Sequence, residues 1–352
     1  MPLRVIQWAT GGVGRASIEA ILDHPELELV GCWVHSESKA GRDAAELVGR
    51  DLIGVLASRD IEELLALSAD CVVYSPVMAD PTLVCRLLAS GKNVVTPLNW
   101  FYPGDRDVSA LEAACAEGSS TLHGTGIHPG GVTERFPLTL SALSNRITHV
   151  RAEEFSDIRT YSAPDVISDI MLFGKTPEEA SASPMVAFLG EGFRQSMDMM
   201  MDELSFDKRA TFVPGHEVAV ATAPIDSPIG QIEPGKVAAQ RFTWQYQIDQ
   251  ASVITVRVNW FMGQENLDPP WNFGDEGERF EVEIDGDPGT KAVFHGWHPH
   301  SVAAGLERNP GIVVTANHCV SAIPYVCAAE SGVRTYLDLP LIAGRAAPGL
   351  RG

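Results

Sequence analysis

One short segment near the start restricts the fold more than any other. The apolar run Val5-Ile6-Gln7-Trp8 passes into Ala9-Thr10-Gly11-Gly12-Val13-Gly14 and then into residues at helical spacing, Val13, Ile18, Ile21 and Leu22. This is the G-x-G-x-x-G pattern of a strand–turn–helix unit that takes a dinucleotide, with alanine at its first position. Each position has a physical task. Gly11 lets the main chain approach a pyrophosphate, Gly14 lets the helix pack closely on the strand, and the helix start offers free N–H groups and the positive end of a dipole. Alanine at the first position is expected to need only ordinary backbone angles. Thr10, Gly11, Gly12, Val13, Gly14 and Arg15 are the expected cofactor contacts.

The rest of the first 130 residues alternates strand and helix signals. Strands are expected at 4–9, 28–35, 70–77, 93–97 and 121–124, and helices at 13–22, 60–67, 80–90 and 105–117, the third with Asp80 as N-cap and Pro81 at its first position. β-Branched runs separated by amphipathic helices mean parallel strands covered on both faces. After about residue 145 the texture changes. Thr176-Pro177-Glu178-Glu179 has capping-box spacing and Ser183-Pro184 opens a long helix. Period-2 stretches then follow without intervening helices, at 210–223, 236–249, 252–262, 279–285 and 290–295, which implies an antiparallel sheet. A final helix is expected at 313–329. The expected fold class is α/β, an N-terminal Rossmann doubly wound parallel sheet plus an α+β domain with an open, mainly antiparallel sheet. The expected domains are 1–145, 146–305, and a C-terminal helix and tail, 306–352, packing back on the first.

Length and charge narrow the partners. The 352 residues suit two domains. The formal net charge is -20, from 26 Lys and Arg against 46 Asp and Glu, so nucleic acid and anionic membrane surfaces are poor partners. No apolar run is long enough to span a bilayer. The N-terminus runs into a strand too early for a signal peptide, and a cytoplasmic location is expected. Cys32, Cys71, Cys85, Cys115, Cys319 and Cys327 are scattered with no C-x-x-C pair and are read as core thiols.

Two stretches bear on the cofactor and its chemistry. NAD binders place Asp or Glu at the end of the second strand, whereas here Val34-His35-Ser36 is followed by Glu37, Ser38, Lys39 and Arg42. A hydroxyl with nearby cations suits a 2′-phosphate, so NADP is favoured and Glu37 keeps NAD open. Ligands of open α/β sheets bind at the carboxyl ends of strands, which points to Ser75-Pro76, Thr96, and Thr125-Gly126 as further cofactor contacts. His128, just beyond, is either a proton donor or a residue closing its own turn.

The opening motif, the Gly124-Thr125-Gly126-x-x-Pro129-Gly130 segment and the ending Ser321-Ala322-Ile323-Pro324 with Leu337-Asp338-Leu339-Pro340 resemble the dihydrodipicolinate-reductase-like oxidoreductases. Within them the chain is most similar to the 2,4-diaminopentanoate dehydrogenase and native amine dehydrogenase branch. The resemblance spans nearly the whole chain. It implies NAD(P)-dependent interconversion of an amine with a ketone and ammonia, in a homodimer. It also implies a catalytic Glu soon after the fifth strand, where this sequence reads Leu98-Asn99-Trp100-Phe101-Tyr102 with no acid before Asp105. Asn99 can hydrogen-bond an amine but cannot take its proton. Candidate replacements are Tyr102, His128, Asp157, Asp165 and Asp169, the last two placed four apart on one face of an expected helix. Trp271 and His298 are candidates for the substrate pocket, and Phe193 and the methionines near 200 for pocket or core. His295, His298 and His300 lack the spacing and partners of a metal set, and no metal is expected. Three activities remain open: reductive amination of a small ketone or aldehyde, ammonia-independent reduction of C=N or C=O, and a dinucleotide-binding sensor without catalysis.

Overall fold

The computed structural model describes residues 1–274 and 276–351. It divides into two compact units, Met1–Ile127 together with the segment from Ile312 onward, and His128–Gly311. The first boundary falls earlier than the expected 145, because the residues from 128 on pack with the second sheet. The return to the first unit comes at Ile312.

The first unit begins with β1 (Leu3–Trp8), α1 (Gly12–Asp23), β2 (Leu27–Trp33), β3 (Ala57–Ser58), α2 (Ile61–Ala66), β4 (Cys71–Tyr74), α3 (Pro81–Ala89), β5 (Asn93–Thr96), α4 (Ser109–Gly118) and β6 (Thr121–Gly124). Helix starts follow the cap residues. Asp80 accepts hydrogen bonds from the N–H groups of Thr82 and Leu83, and Asp60 does the same for Glu62 and Glu63.

The second unit contains α5 (Phe136–Ser141), β7 (Asn145–Asp157), α6 (Pro177–Ser181), α7 (Pro184–Glu203), β8 (Thr211–Ala221), β9 (Ile225–Ser227), β10 (Gly230–Ile232), β11 (Val237–Ile248), β12 (Ala251–Phe261), β13 (Leu267–Asp268), β14 (Arg279–Asp287), β15 (Thr290–Phe294) and α8 (Val302–Glu307). Thr176 and Glu179 form the expected reciprocal cap before α6. The chain then runs through α9 (Pro310–Cys327) and β16 (Gly332–Val333).

The first sheet is parallel, in the order β16-β6-β5-β4-β1-β2-β3. Alternate residues of its strands enter different cores. Val5, Cys71, Val73 and Val95 pack with Ile18 and Ile21 of α1 and with Cys319, Val320, Ile323 and Val326 of α9. Ile6, Val72, Tyr74 and Val94 pack with Leu64 of α2, Leu83, Leu87 and Leu88 of α3 and Leu111 of α4. Each such side chain, wholly withdrawn from water, contributes about 1.5–3 kcal/mol. The terminal helix therefore supplies part of one of the two helical layers.

The second sheet runs β13-β8-β11-β12-β7-β14-β15. Most of its pairings are antiparallel, and β12 and β7 pair in parallel. β7 sits near its middle, and sequence reading passed over it and the short β13. The expected face of Ala238, Gln240, Phe242, Trp244 and Tyr246 is buried. The opposite face carries Arg151, Glu153, Arg257, Arg279, Glu281 and Glu283, joined by ion pairs such as Arg151–Glu281 at 2.9 Å and Arg257–Glu153 at 3.3 Å.

Two local expectations fail. Ala9 has φ +74°, left-handed backbone rather than ordinary angles. Its N–H donates to Trp33 O at 3.0 Å and its carbonyl accepts from Gln7 Nε2 at 2.9 Å, so the turn is held in the shape a glycine would adopt. Asp165 and Asp169 do not share an α-helical face. Asp165 precedes and Asp169 lies within a π-type turn, Val166–Ile170; both are exposed, and Asp169 pairs with Lys175 at 3.3 Å.

These contacts generate a pair of opposite expectations. A Cβ added at Gly14 would lie 2.1 Å from Ala9 O, a main-chain atom that cannot move aside. Gly14→Ala should cost about 2 kcal/mol or more in urea unfolding, whereas Ala9→Gly should gain about 1 kcal/mol by relieving the left-handed alanine. Equal midpoints for wild type and both variants would show that the turn is not under this constraint.

Candidate active site

In the first unit, α1 starts directly at the turn. Gly11 is its N-cap, with no side chain, and a Cβ there would meet nothing within 4 Å. That is the space a bound pyrophosphate needs beside free helix N–H groups. At Gly12 an added Cβ would lie 3.0 Å from Ile312 Cδ1, so α9 borders the same helix start. Val13 and Arg15 occupy the first turn, and Arg15 N–H donates to Gly11 O at 2.9 Å. Beneath the turn, the buried Gln7 donates to Ala9 O and to Ser75 Oγ, both at 2.9 Å. Ser75 is thereby engaged in holding the ends of β1 and β4 together, with Pro76 following.

Beyond β2 no carboxylate takes the strand end. His35 is exposed, Ser36 Oγ lies 2.7 Å from Ser38 Oγ, and Glu37–Lys39 forms a 3-10 turn. Lys39 Nζ reaches back to donate to Thr10 O at 3.0 Å and Thr10 Oγ1 at 3.2 Å, which places a cation on the glycine turn. Arg42 pairs with Glu46 at 3.3 Å. These residues fit a nicotinamide dinucleotide: a bare turn, a helix start and an ammonium group converge where an anionic cofactor is expected.

At the ends of β5 and β6 the chain is tightly packed. A Cβ at Gly124 would sit 2.2 Å from Asn99 O and 2.5 Å from Trp100 O, so the Asn99–Trp100 backbone lies against the strand end. Asn99 Oδ1 accepts from Trp100 N–H at 2.8 Å, and Tyr102 is half-buried on the same loop. Thr96 accepts from Leu98 N–H, and Thr125 N–H donates to Thr96 O at 2.8 Å. Thr125 Oγ1 meets Tyr336 Oη, and His318 Nδ1 lies 2.5 Å from Gly126 O and 3.0 Å from Tyr336 Oη. The pairing of Thr125 and Gly126 with His318 and Tyr336 spans about two hundred residues of sequence and had no signal in it.

The second unit holds a buried polar cluster that sequence reading found only in part. His128 is 1% exposed at its side chain, with Nδ1 3.0 Å from Glu154 Oε2. The ring meets Phe193 of α7 and Phe280 of β14 edge-on, at 4.9 and 5.6 Å between centroids. Glu154 lies on the same sheet face as Phe280 and Val258, its direct cross-strand neighbours. Its Oε1 accepts from Ser156 Oγ at 2.7 Å and from Trp260 Nε1 at 3.0 Å. Ser156 has one hydrogen and gives it to Glu154, so His298 Nε2, 3.1 Å away, donates to Ser156. His298 stacks on Phe280 at 5.2 Å.

Electrostatics follow from burial and these partners. Burial pulls the Glu154 carboxyl upward, but His128, Ser156 and Trp260 outweigh it and leave it below its ordinary value, ionised at neutral pH. Burial lowers His298 to about 4, so it is neutral. Burial and the Glu154 charge raise Tyr161 above the usual phenol range. Glu154 was missing from the expected carboxylates. Of those named, Asp157 is bound to Arg159, and Asp165 and Asp169 are exposed. Trp271 lies under the Arg241 guanidinium at 4.7 Å, and Met197, Met199 and Met200 are wholly buried.

A family model for the 2,4-diaminopentanoate dehydrogenase C-terminal domain matches residues 132–347. The chain belongs to that family. It is an oxidoreductase whose first unit is built on a parallel α/β sheet. An amine dehydrogenase of Streptomyces virginiae is 29% identical over 355 residues, 96% of this chain and 96% of that protein. A 4-hydroxy-tetrahydrodipicolinate reductase of Synechocystis sp. is 35% identical over 78 residues, 22% of this chain and 28% of that protein. Among solved structures, an amine dehydrogenase from Mycobacterium smegmatis superposes with TM-score 0.78 at 21% identity, covering 98% of each chain. An NAD binding oxidoreductase from Klebsiella pneumoniae gives 0.52 at 12% identity, over 96% of this chain and 92% of that one. The structural likenesses establish the fold. Among the described residues no helix is long and apolar enough to cross a membrane, and no group of His, Cys, Asp and Glu is arranged to hold a metal.

One further acid was not singled out. The Gly-rich segment after β6 leads into a π-type turn, Gly131–Arg135, which carries Glu134 wholly into the core, with neither oxygen in hydrogen-bonding geometry. Burial holds its carboxyl well above the usual range, and the neighbouring Ser196 only partly offsets this. A carboxyl whose folded value is raised contributes stability below the unfolded value that is lost as pH climbs. Glu134→Gln should therefore raise the melting temperature more at pH 8 than at pH 5. An equal change at both pH values would show that the folded carboxyl titrates normally.

Proposed function

We propose that this chain is an NAD(P)H-dependent amine dehydrogenase that makes an amine from a small ketone or aldehyde and ammonia. The observation that carries the reading is the bare, cation-flanked glycine turn in a chain that is 29% identical along 96% of its length to an amine dehydrogenase. A bound nicotinamide dinucleotide supplies the hydride for such a reaction. Thr10, Gly11, Gly12, Val13, Gly14, Arg15, Ser75, Pro76, Thr96, Thr125 and Gly126 form the cradle or hold it in shape. NADP is the preferred form. In support, His35, Ser36 and Lys39 follow β2 where an NAD-selective site would carry an acid.

His128, Asn99 and Tyr102 are the proposed reactive and orienting groups, and Trp271 and His298 belong to the substrate side. His128 Nδ1 lies 3.0 Å from a Glu154 carboxylate oxygen. A homodimer in the cytoplasm completes the reading. The charged face of the second sheet, opposite α5 and α7, is the surface that suits a second copy. Reduction of C=N or C=O without ammonia is the second reading. It is favoured by the β5–α4 loop, where 97–104 contains no carboxylate.

Oxidation of NADPH with a panel of small ketones and aldehydes, with and without ammonium, separates the readings. Ammonium-dependent oxidation with amine as product is expected. Ammonium-independent oxidation would support the reductase, and tight cofactor binding without turnover would leave a sensor. Failure to bind either dinucleotide would refute all three. Cofactor choice has its own check: Ser36→Asp should lower kcat/KM for NADPH by about 100-fold and spare NADH, since a carboxylate there repels a 2′-phosphate. An unchanged NADPH/NADH ratio would move the phosphate site elsewhere.

A further inference from the structure

The polar cluster of the second unit is built around an atom with nothing to do inside the fold. His128 is buried to 1% side-chain exposure, yet its Nε2 has no hydrogen-bond partner. Buried polar atoms are almost always paired, so an orphan of this kind calls for a purpose. Its other nitrogen, Nδ1, faces a carboxylate oxygen at 3.0 Å, outside good hydrogen-bond geometry but well within ion-pair distance. The carboxylate is fixed in turn. Glu154 Oε1 is occupied by Ser156 and Trp260, which turns Oε2 toward His128, and Ser156 is held by His298. Phe193 and Phe280 set the plane of the His128 ring at 89° and 66° to their own.

We propose that Glu154 is the positioning carboxylate of this enzyme, holding Nδ1 of His128 so that Nε2 is the nitrogen that exchanges a proton with the substrate. A carboxylate on one imidazole nitrogen fixes the tautomer, steadies the imidazolium and leaves the other nitrogen to work. This rests on the amine dehydrogenase reading and deepens it, because it supplies the acid–base couple that the β5–α4 loop lacks. In the amination direction the His128 imidazolium gives its Nε2 proton to the hydroxyl oxygen of the ammonia adduct. The C–O bond breaks with its electrons on oxygen, water leaves, and the nitrogen lone pair forms C=N. Neutral His128 keeps its Nδ1 proton against Glu154. It regains the Nε2 proton from ammonium, which frees ammonia for the next attack. The charged and titratable groups that act on Glu154 are His128, His298, Tyr161 and Glu278, and His295 acts on His298.

The test uses the full chain with Glu154→Gln, Glu154→Asp, His128→Asn and the double variant Glu154→Gln/His128→Asn. Histidine ring nitrogen resonances are followed by NMR to read which nitrogen carries the proton, alongside kcat and KM for ketone plus ammonium. In Glu154→Gln the preference of the neutral His128 ring for a proton on Nδ1 should weaken. The kcat should drop about 100-fold while KM for the ketone stays within about threefold. Glu154→Asp should restore part of both, and the double variant should be no slower than His128→Asn. Should Glu154→Gln melt below the assay temperature, Glu154→Asp and His128→Asn carry the same comparison. An unmoved His128 tautomer, an unchanged kcat, or losses that multiply in the double variant would overturn the proposal. A wild-type chain that turns over no ketone would overturn the functional reading, and the tautomer readout would still decide whether Glu154 holds His128.

Discussion

The close approach of main chain to main chain organises the first unit. Where α1 crosses β1, Gly14 leaves room for Ala9 O; where α4 ends, a Cβ on Gly118 would lie 1.9 Å from Leu88 O; and at the end of β6, Gly124 accommodates Asn99 O. No side chain of any size fits at these points. Helices and loops therefore reach the sheet at a spacing set by backbone alone, and the ligand-facing strand ends inherit that precision. Ala9 is the cost of the arrangement. It adopts left-handed backbone because the hydrogen bonds to Trp33 and Gln7 and the helix above it leave no alternative.

The second unit solves a different problem. Its sheet has an apolar face under α5 and α7 and a face crowded with acids and bases. On the crowded face the charges pair across strands, Arg151 with Glu281 and Glu283, Arg257 with Glu153. Removing one partner from such a pair strands the other, which is costlier than the pair is stabilising. Glu154 breaks the division by presenting a charge to the apolar face, compensated by an indole N–H, a hydroxyl and an imidazole. Glu134 is also buried, and the Ser196 hydroxyl compensates it only in part. Two acids buried in one unit thus shift in opposite directions because their donors differ.

Much of the architecture was legible because local chemistry announces it. Asp80 before Pro81, Thr176 before Glu179, and the β-branched runs of β4 and β5 each have one physical reading, and the glycine turn has very few. β7 was not legible. Asn145–Asp157 is rich in charge, and those charges make sense only beside Glu281, Glu283, Arg257 and Asn259, more than a hundred residues away in sequence. Glu154 was missed along with its strand. His128 stood out because it follows a strand end in a Gly-rich segment, and what it faces depends on register between strands. The left-handed Ala9 was misjudged because alanine tolerates ordinary angles so readily that its forced conformation leaves no trace in composition.

The chain leaves the first unit at Ile127 and re-enters it at Ile312. During synthesis the sheet face that Cys319, Val320, Ile323 and Val326 will cover is complete in its strands β1 to β6 long before those residues exist. At ~5–20 residues per second the wait is roughly ten to forty seconds, time enough for an intervening domain to fold. The first unit to emerge from the ribosome is consequently the last to close, and its unfinished sheet is the surface that a nascent-chain chaperone would need to shield.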